Sequence, residues 1–453
     1  MSDTKPGLGI LSNKRGAIIR TALIVLIMLA AAALRFGSVL DTGLGPSIRN
    51  DAADYFYYTY NLKYFGVYSR THTFGVPGSV QPLPDAVRPP GYSLFLYPFI
   101  NRNPSAHSLL TILLAQALIS VLTVAVAYRL YRIFLPTPGA LGAALLTALS
   151  PHLVTMNIYL LSETWFCFLA VSALWAGSQI PTSSRPNVAA FVTGALLSLA
   201  SLTRPGLQYY VAPFMVLVAL SCPGRRSLKL AALVLLGFGV VYAPWVIRNI
   251  HTLGTWSQPS LMINAIADGM YPQFMYHGNP SSYGIPYRFD PNYLAITRSL
   301  HAALTAVWVA FHNHPWKYLY WYLLDKPIFL WSWNIIAGAG DVFIYPVLST
   351  PYLHVWFFHT THAIMWALHW PLVLFALFSC IWLWTAGARQ VMTPRALFTA
   401  RSFALMLLYW TAVLMITAPY PRYAVPLRPF EFGLSVLAVG RLVKQLVVTS
   451  TDS

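Results

Sequence analysis

Long hydrophobic runs broken by short polar turns organise this chain. The runs last about 18–25 residues, long enough for helices across a ~30 Å hydrocarbon core and far longer than the ~10-residue alternating strands of a membrane barrel. They fall at roughly 17–36, 108–128, 139–157, 164–181, 188–203, 207–222, 229–247, 356–386, 402–418 and 425–443. A bilayer core holds no water to satisfy backbone N–H and C=O groups, so a spanning segment must be a helix or part of a closed barrel. The pattern predicts an all-α polytopic membrane protein with about ten transmembrane helices. They form a single domain over residues 1–443, followed by a short cytoplasmic tail, 444–453.

Two stretches do not read as spans. Residues 37–107 are rich in Tyr, Pro and Gly, with the aromatic run YFYYTYNLKYF, and residues 248–355 form a longer segment of the same character. Within the second, HPWKYLYWYLLDKPIFLWSW is interrupted by Lys317, Asp325, Lys326 and Pro327. Its Trp and Tyr suit juxtamembrane helices lying at headgroup level.

Charge orients the bundle. The first span follows a basic tail with Lys5, Lys14 and Arg15, and is read as a retained anchor rather than a cleaved signal peptide. With a cytoplasmic N-terminus, the inner segments carry Arg129, Arg132, Arg185, Arg225, Arg226, Lys229, Arg389, Arg395, Arg401, Arg441 and Lys444. Asp41, Asp51, Asp54, Asp85, Glu163, Asp268, Asp290, Asp325, Asp341 and Glu431 then lie outside or at the outer boundary, and only Asp3 and Asp452 lie inside. This is the positive-inside pattern, with both termini in the cytoplasm.

Only 9% of the residues are charged and 57% are hydrophobic, against about a quarter charged in a soluble domain. The net charge of +17 is spread along the chain rather than massed in a block. It therefore points to topology and an anionic lipid phosphate rather than to nucleic acid. Cys167, Cys222 and Cys380 all sit in apolar runs, where they read as small buried hydrophobes.

The candidate chemistry is outside. Asp51 and Tyr55, one helical turn apart in NDAADYFYYTYNLKYF, would share a face. Aromatic walls should raise the Asp51 pKa toward that of a general base, with Asp54 as rival and a solvated loop acid as the plain alternative. Arg88 in VRPPGYSLFLYPF is held by a Pro-Pro-Gly turn near the interface, as a phosphate grip or an anchor. Glu163 in LLSETW is either a functional carboxylate or a helix N-terminal acid. Arg204 and Arg248 end spans on the outer side, against the charge bias, so each needs an anionic partner or a snorkelling position. PYPRYAVPLRP brings Arg422, Tyr423 and Arg428 into an outer loop that suits a phosphate or a plain tight turn. His354, His359, His362 and His369 cluster at helical spacing, but without an HExxH pattern or a nearby carboxylate. No P-loop, dinucleotide fingerprint or GxSxG elbow is present.

The order of these motifs carries a resemblance. One span is followed by D-x-x-x-Y (Asp51, Tyr55), RPPGY (Arg88 to Tyr92), L-x-E-T (Leu161, Glu163, Thr164), LTRP (Leu202 to Pro205), PWxIRN (Pro244 to Asn249) and PRYxxP (Pro421 to Pro426). The sequence resembles the GT-C superfamily of polyprenyl-phosphate-dependent glycosyltransferases. Within it, the branch of bacterial relatives of dolichyl-phosphate-mannose protein mannosyltransferases and lipid A aminoarabinose transferases is the most similar. The resemblance implies an inverting hexosyl or pentosyl transferase in a bacterial inner membrane, acting on the periplasmic side. Its donor would be a polyprenyl-phosphate-linked sugar and its acceptor a lipid, glycan or protein. It places Asp51 at the catalytic carboxylate, Glu163 at a second acidic position, and Tyr55, Arg88, Tyr92, Arg204, Arg422 and Tyr423 at donor-phosphate or substrate contacts. A divalent cation is left open. Residues 260–350 have no counterpart, and the large soluble C-terminal domain of some relatives is lacking. A glycan ligase or polymerase of the same architecture, or a lipid-linked sugar transporter without chemistry, is the alternative.

Overall fold

A computed structural model describes residues 7–74, 80–221, 224–336 and 339–451, with side chains from residue 16 to residue 445. Asp3, Lys5, Cys222 and Asp452, and the side chains of Lys14 and Arg15, lie outside that description. The first half runs α1 Gly7–Asp41, β1 Gly43–Leu44, α2 Asp51–Phe65, α3 Gly91–Leu96, α4 Ala106–Phe134, α5 Thr137–Leu149, α6 Pro151–Thr155, α7 Glu163–Gly177, α8 Pro186–Thr203, α9 Val211–Ser221 and α10 Arg225–Leu253. The second outer segment holds α11 Ser260–Asp268, α12 Tyr293–Ile296, α13 Leu300–Asn313, α14 Pro315–Tyr320, α15 Lys326–Leu330, β2 Val347–Ser349 and α16 Pro351–His354. α17 Trp356–Trp382, α18 Ala386–Val391, α19 Pro394–Ile416 and α20 Arg428–Thr451 follow.

By length and composition, six helices among the described residues can cross a membrane: α1, α4, α8, α10, α17 and α19. The number rises to seven if the pair Thr137–Leu149 and Pro151–Ile158, bent by 47°, is counted as one span. Three of the ten predicted runs fall outside this set. The runs at 164–181 and 207–222 become Glu163–Gly177 and Pro205–Ser221, helices of 10–17 residues. At about 1.5 Å per residue these fall short of the ~30 Å core. The last run became α20, which carries Arg428, Glu431, Arg441 and Lys444 and continues to Thr451, past the tail boundary expected at 444.

The bend in that pair has a visible cause. Pro151 cannot donate to the helix before it, which leaves the carbonyls at the end of α5 without partners. Arg35 of α1, fully buried, supplies them: its guanidinium donates to Ala148 O (2.8 Å), Thr147 O (3.0 Å) and Ser120 Oγ (2.7 Å). Elsewhere the helices meet through small residues, as membrane helices do. A Cβ on Gly194 of α8 would sit 1.9 Å from the Val234 carbonyl oxygen of α10, so the two backbones touch there.

β1 pairs antiparallel with β2, Gly43 opposite Ser349 and Leu44 opposite Val347, and this ties the segment after α1 to the segment before α17. Lys326 does not float at the headgroups. It is buried, and its ammonium donates to Met415 O (2.8 Å) and Thr417 O (2.9 Å), satisfying carbonyls at the C-terminus of α19.

Candidate active site

Six charged side chains from five separated stretches join into one alternating network. Asp51 and Asp54 occupy the first turn of α2, on the face shared with Tyr55, where the helix dipole favours carboxylates. Arg88 bridges them, Nη2 to Asp51 (2.8 Å) and Nε to Asp54 (2.8 Å), with its guanidinium 4.9 Å from the centre of the Tyr55 ring. Arg422 Nη2 lies 2.5 Å from the other Asp51 oxygen, and its Nε lies 3.3 Å from Glu163. Arg204 Nη2 closes the row, 2.5 Å from the same Glu163 oxygen. The order is Asp54, Arg88, Asp51, Arg422, Glu163, Arg204, with Asp51 and Glu163 held together by one shared arginine.

Local sequence fixes each member. Pro205 disfavours helical geometry in the residue before it, so α8 stops and Arg204 turns extended (φ −136°, ψ 107°). Arg88 stands just ahead of Pro89-Pro90-Gly91. A Cβ on Gly91 would lie 2.5 Å from Thr203 Oγ1 and 2.7 Å from Leu202 O. The glycine therefore lets the Arg88 turn pack directly onto the end of α8, beside Arg204. Glu163 opens α7, and Arg422 and Tyr423 lie in the turn Pro421–Tyr423. Arg204 sits over the Tyr423 ring at 5.3 Å and Arg422 at 5.5 Å.

The network is graded in exposure. The Asp51 side chain is 29% exposed and the Glu163 side chain 1%. Glu163 contacts its arginines by distance without hydrogen-bond alignment, and Glu163 Oε2, Arg204 Nε and Arg422 Nε have no hydrogen-bond partner. Such buried orphans mark a site shaped for a further polar group. The raised pKa expected for Asp51 is corrected. Burial does push the carboxyl up, but Arg422 and Arg88 outweigh it and hold Asp51 well below the usual carboxylate range.

Of the residues singled out from sequence, Asp51, Tyr55, Arg88, Glu163, Arg204, Arg422 and Tyr423 converge, and Asp54 joins them. Tyr92 stands behind. It is fully buried, its ring meets Tyr55 edge-on at 4.9 Å, and its hydroxyl donates to Gln116 (2.6 Å). Arg428 turns away to pair with Glu431 (2.7 Å) in the helix bundle. Arg248 is structural as well: α10 extends through PWVIRN, and its guanidinium donates to Asp85 O (2.8 Å) and Tyr68 O (3.0 Å), pinning the first outer segment.

Two residues went unnoticed in the sequence: Arg49, just before Asp51, and Tyr345, whose ring lies 4.6 Å below the Arg49 guanidinium. Arg49 differs from other basic residues only in standing next to the Asp51 motif, and Tyr345 lies in the stretch without a recognisable pattern. The histidines separate: His354 meets Asp41, His362 meets Asp341, and His369 meets the Trp331 carbonyl. Among the described residues, no three His, Cys, Asp or Glu side chains converge as metal ligands. The carboxylates of the network are engaged by guanidinium groups, so the residues present do not form a ligand set for a divalent cation.

Comparison with solved structures places the chain in a known architecture. The chain matches the oligosaccharyltransferase AglB of Archaeoglobus fulgidus, solved with an inhibitory peptide and a dolichol-phosphate, at a TM-score of 0.51 and 15% identity, over 96% of this chain and 52% of that one. The same enzyme tethered to an acceptor peptide gives 0.52 at 14% identity, over 95% and 50%. The chain has the GT-C fold. It spans about half the length of the archaeal enzyme. The sequence profile of the dolichyl-phosphate-mannose-protein mannosyltransferases matches residues 99–247, the part of this chain that carries Glu163 and Arg204. ArnT from Cupriavidus metallidurans, bound to undecaprenyl phosphate, gives a weaker TM-score of 0.41 at 15% identity, over 93% of this chain and 77% of that one. No curated protein matches by sequence.

Proposed function

We propose that the chain is an inverting glycosyltransferase that moves a sugar from a polyprenyl-phosphate donor to an acceptor on the periplasmic face of a bacterial inner membrane. The observation that carries this reading is the row of three guanidinium groups interleaved with Asp51 and Glu163. Three cations fixed by packing provide preorganised stabilisation for charge that develops on a departing phosphate. Arginine forks suit phosphate oxygens.

Asp51 is the base. It takes the proton of an acceptor hydroxyl as that oxygen attacks the anomeric carbon, and the carbon–oxygen bond to phosphate breaks. A single displacement inverts the configuration, unlike the paired-carboxylate retaining arrangement. The guanidinium groups that weaken Asp51 as a base in the free protein are those the phosphate would engage. As phosphate oxygens draw Arg88 and Arg422 toward themselves, Asp51 regains basicity. The base is therefore strongest when a donor is bound.

Purified protein incubated with labelled undecaprenyl-phosphate monosaccharides and candidate lipid, glycan and peptide acceptors tests the proposal. Covalent transfer, or release of undecaprenyl phosphate, supports it. Relocation of the intact lipid across the bilayer identifies a transporter instead. Activity with lipid-linked oligosaccharides alone assigns a glycan ligase, the reading that the shared fold with an oligosaccharyltransferase favours.

A further inference from the structure

The Tyr345 hydroxyl is buried and has no hydrogen-bond partner. Buried polar groups in native proteins are nearly always paired, so an orphan asks for an explanation. Other orphan hydroxyls exist, on Tyr322, Tyr352, several serines and a threonine. Tyr345 differs in its surroundings, because its hydroxyl feels the charges of Asp51, Arg422, Glu163 and Arg49.

The rest of the residue is held on every side. Arg49 covers the ring at 4.6 Å and donates to Pro346 O (3.3 Å). The Tyr159 hydroxyl donates to the Tyr345 carbonyl (3.1 Å) and accepts from the Tyr345 N–H (3.4 Å). The pairing of β1 with β2, two residues further on, fixes this strand against the segment leading into Asp51. Only the hydroxyl is left without a partner.

Its chemistry is that of a donor. Burial pushes the phenol up to about 12, with Asp51 adding to the rise and Arg422 opposing it, so the O–H keeps its proton at working pH. No protein oxygen accepts from it in this structure, and the two Asp51 oxygens are turned to Arg88 and Arg422. An acceptor oxygen supplied by a ligand would satisfy it, and the cations around the network select an anionic one.

We propose that Tyr345, with Arg49 stacked on its ring, donates a hydrogen bond to the donor's phosphate and holds that phosphate as the sugar leaves. This rests on the glycosyltransferase reading above. It brings into the site a residue of the second outer segment, which otherwise contributes no side chain to the charged network.

The test uses full-length protein in nanodiscs, with undecaprenyl phosphate and the uncharged alcohol undecaprenol as probes, comparing wild type with Tyr345→Phe. The phenylalanine keeps the ring beneath Arg49 and removes only the unpartnered oxygen. The variant should bind undecaprenyl phosphate about tenfold more weakly, as expected for one hydrogen bond to a charged group. Its affinity for undecaprenol should be unchanged, and its melting temperature without ligand should be equal or higher. Equal binding of undecaprenyl phosphate by variant and wild type overturns this inference alone. So does an equal loss for undecaprenol, which would assign the residue to the lipid chain. A lower melting temperature without ligand gives the hydroxyl a structural role and overturns it as well. If wild type does not bind undecaprenyl phosphate, the glycosyltransferase reading falls, and this inference with it.

Discussion

Replacing Asp51 with Asn separates the proposed base from everything else in the network. The change keeps the side chain's shape and one acceptor oxygen while deleting its charge and its basicity. Arg88 retains Asp54 at 2.8 Å and Arg422 retains Glu163 at 3.3 Å, so neither guanidinium is stranded and the site should stay assembled. Loss of a positioned general base typically costs about 10²–10⁴-fold in rate. Donor binding should move the other way. Three carboxylates face three guanidinium groups in the free protein, and the variant leaves one positive charge in excess. A unit charge removed about 5 Å from a phosphate at an effective dielectric near 20 is worth about 3 kcal/mol. With the Asp51 side chain 29% exposed, solvent screening cuts this to about 1 kcal/mol, roughly fivefold tighter binding. The assay pairs turnover of labelled undecaprenyl-phosphate sugar with equilibrium binding of undecaprenyl phosphate. Turnover falling by two or more orders of magnitude with equal or tighter binding is the expected signature. Near-normal turnover would refute the assignment and move the base to Asp54 or Glu163. Loss of both properties together would show that Asp51 holds the site in place rather than acting on the acceptor.

Three further outcomes follow from the geometry. Gly91→Ala forces a methyl group against Thr203 and Leu202 O, and should cost about 1–3 kcal/mol and lower activity by displacing Arg88 and Arg204, read as a lower melting temperature and a higher KM for donor. Lys326→Met strands two buried carbonyls at the end of α19, and should lower stability by about 1–3 kcal/mol, measured by thermal unfolding in detergent. Asp268, which accepts from the Tyr293 hydroxyl (2.9 Å), is pushed by burial up to about 6. A folded-state pKa above the unfolded value of about 3.9 makes the folded protein hold the extra proton, so stability falls as pH rises through that window and the penalty is complete above it. Asp268→Asn should therefore raise the melting temperature at pH 7.5 and have much less effect at pH 4; an equal shift at both pH values would contradict the assignment.

Much of the site was readable because its residues sit beside backbone punctuation. Arg88 stands before Pro-Pro-Gly, Arg204 before a proline, and Arg422 between prolines, and each of these local constraints survives in the folded chain. The shared face of Asp51 and Tyr55 followed from helical spacing alone. The Asp51 pKa was not readable, because its sign depends on Arg422, 371 positions away, and composition around residue 51 shows only aromatic walls. Arg49 and Tyr345 escaped for a similar reason: β1–β2 pairing brings them together, and strands of two and three residues leave no periodic trace. Three apolar runs did not become long apolar helices among the described residues. α7 ends at Gly177 and Pro205 opens a separate turn ahead of α9, so length in sequence did not become length in helix. Lys326 shows the reverse error. Its charge argued for a headgroup position, but a C-terminal set of helix carbonyls gave it partners in the interior.

The account stands on a lipid phosphate entering the arginine row. A cryo-EM structure of the protein in nanodiscs with undecaprenyl phosphate tests this most directly. Phosphate density within hydrogen-bond reach of Arg88, Arg204 or Arg422, with Asp51 released from at least one guanidinium, is the predicted result. Phosphate bound at another surface, with the six-residue network intact and closed, would contradict it.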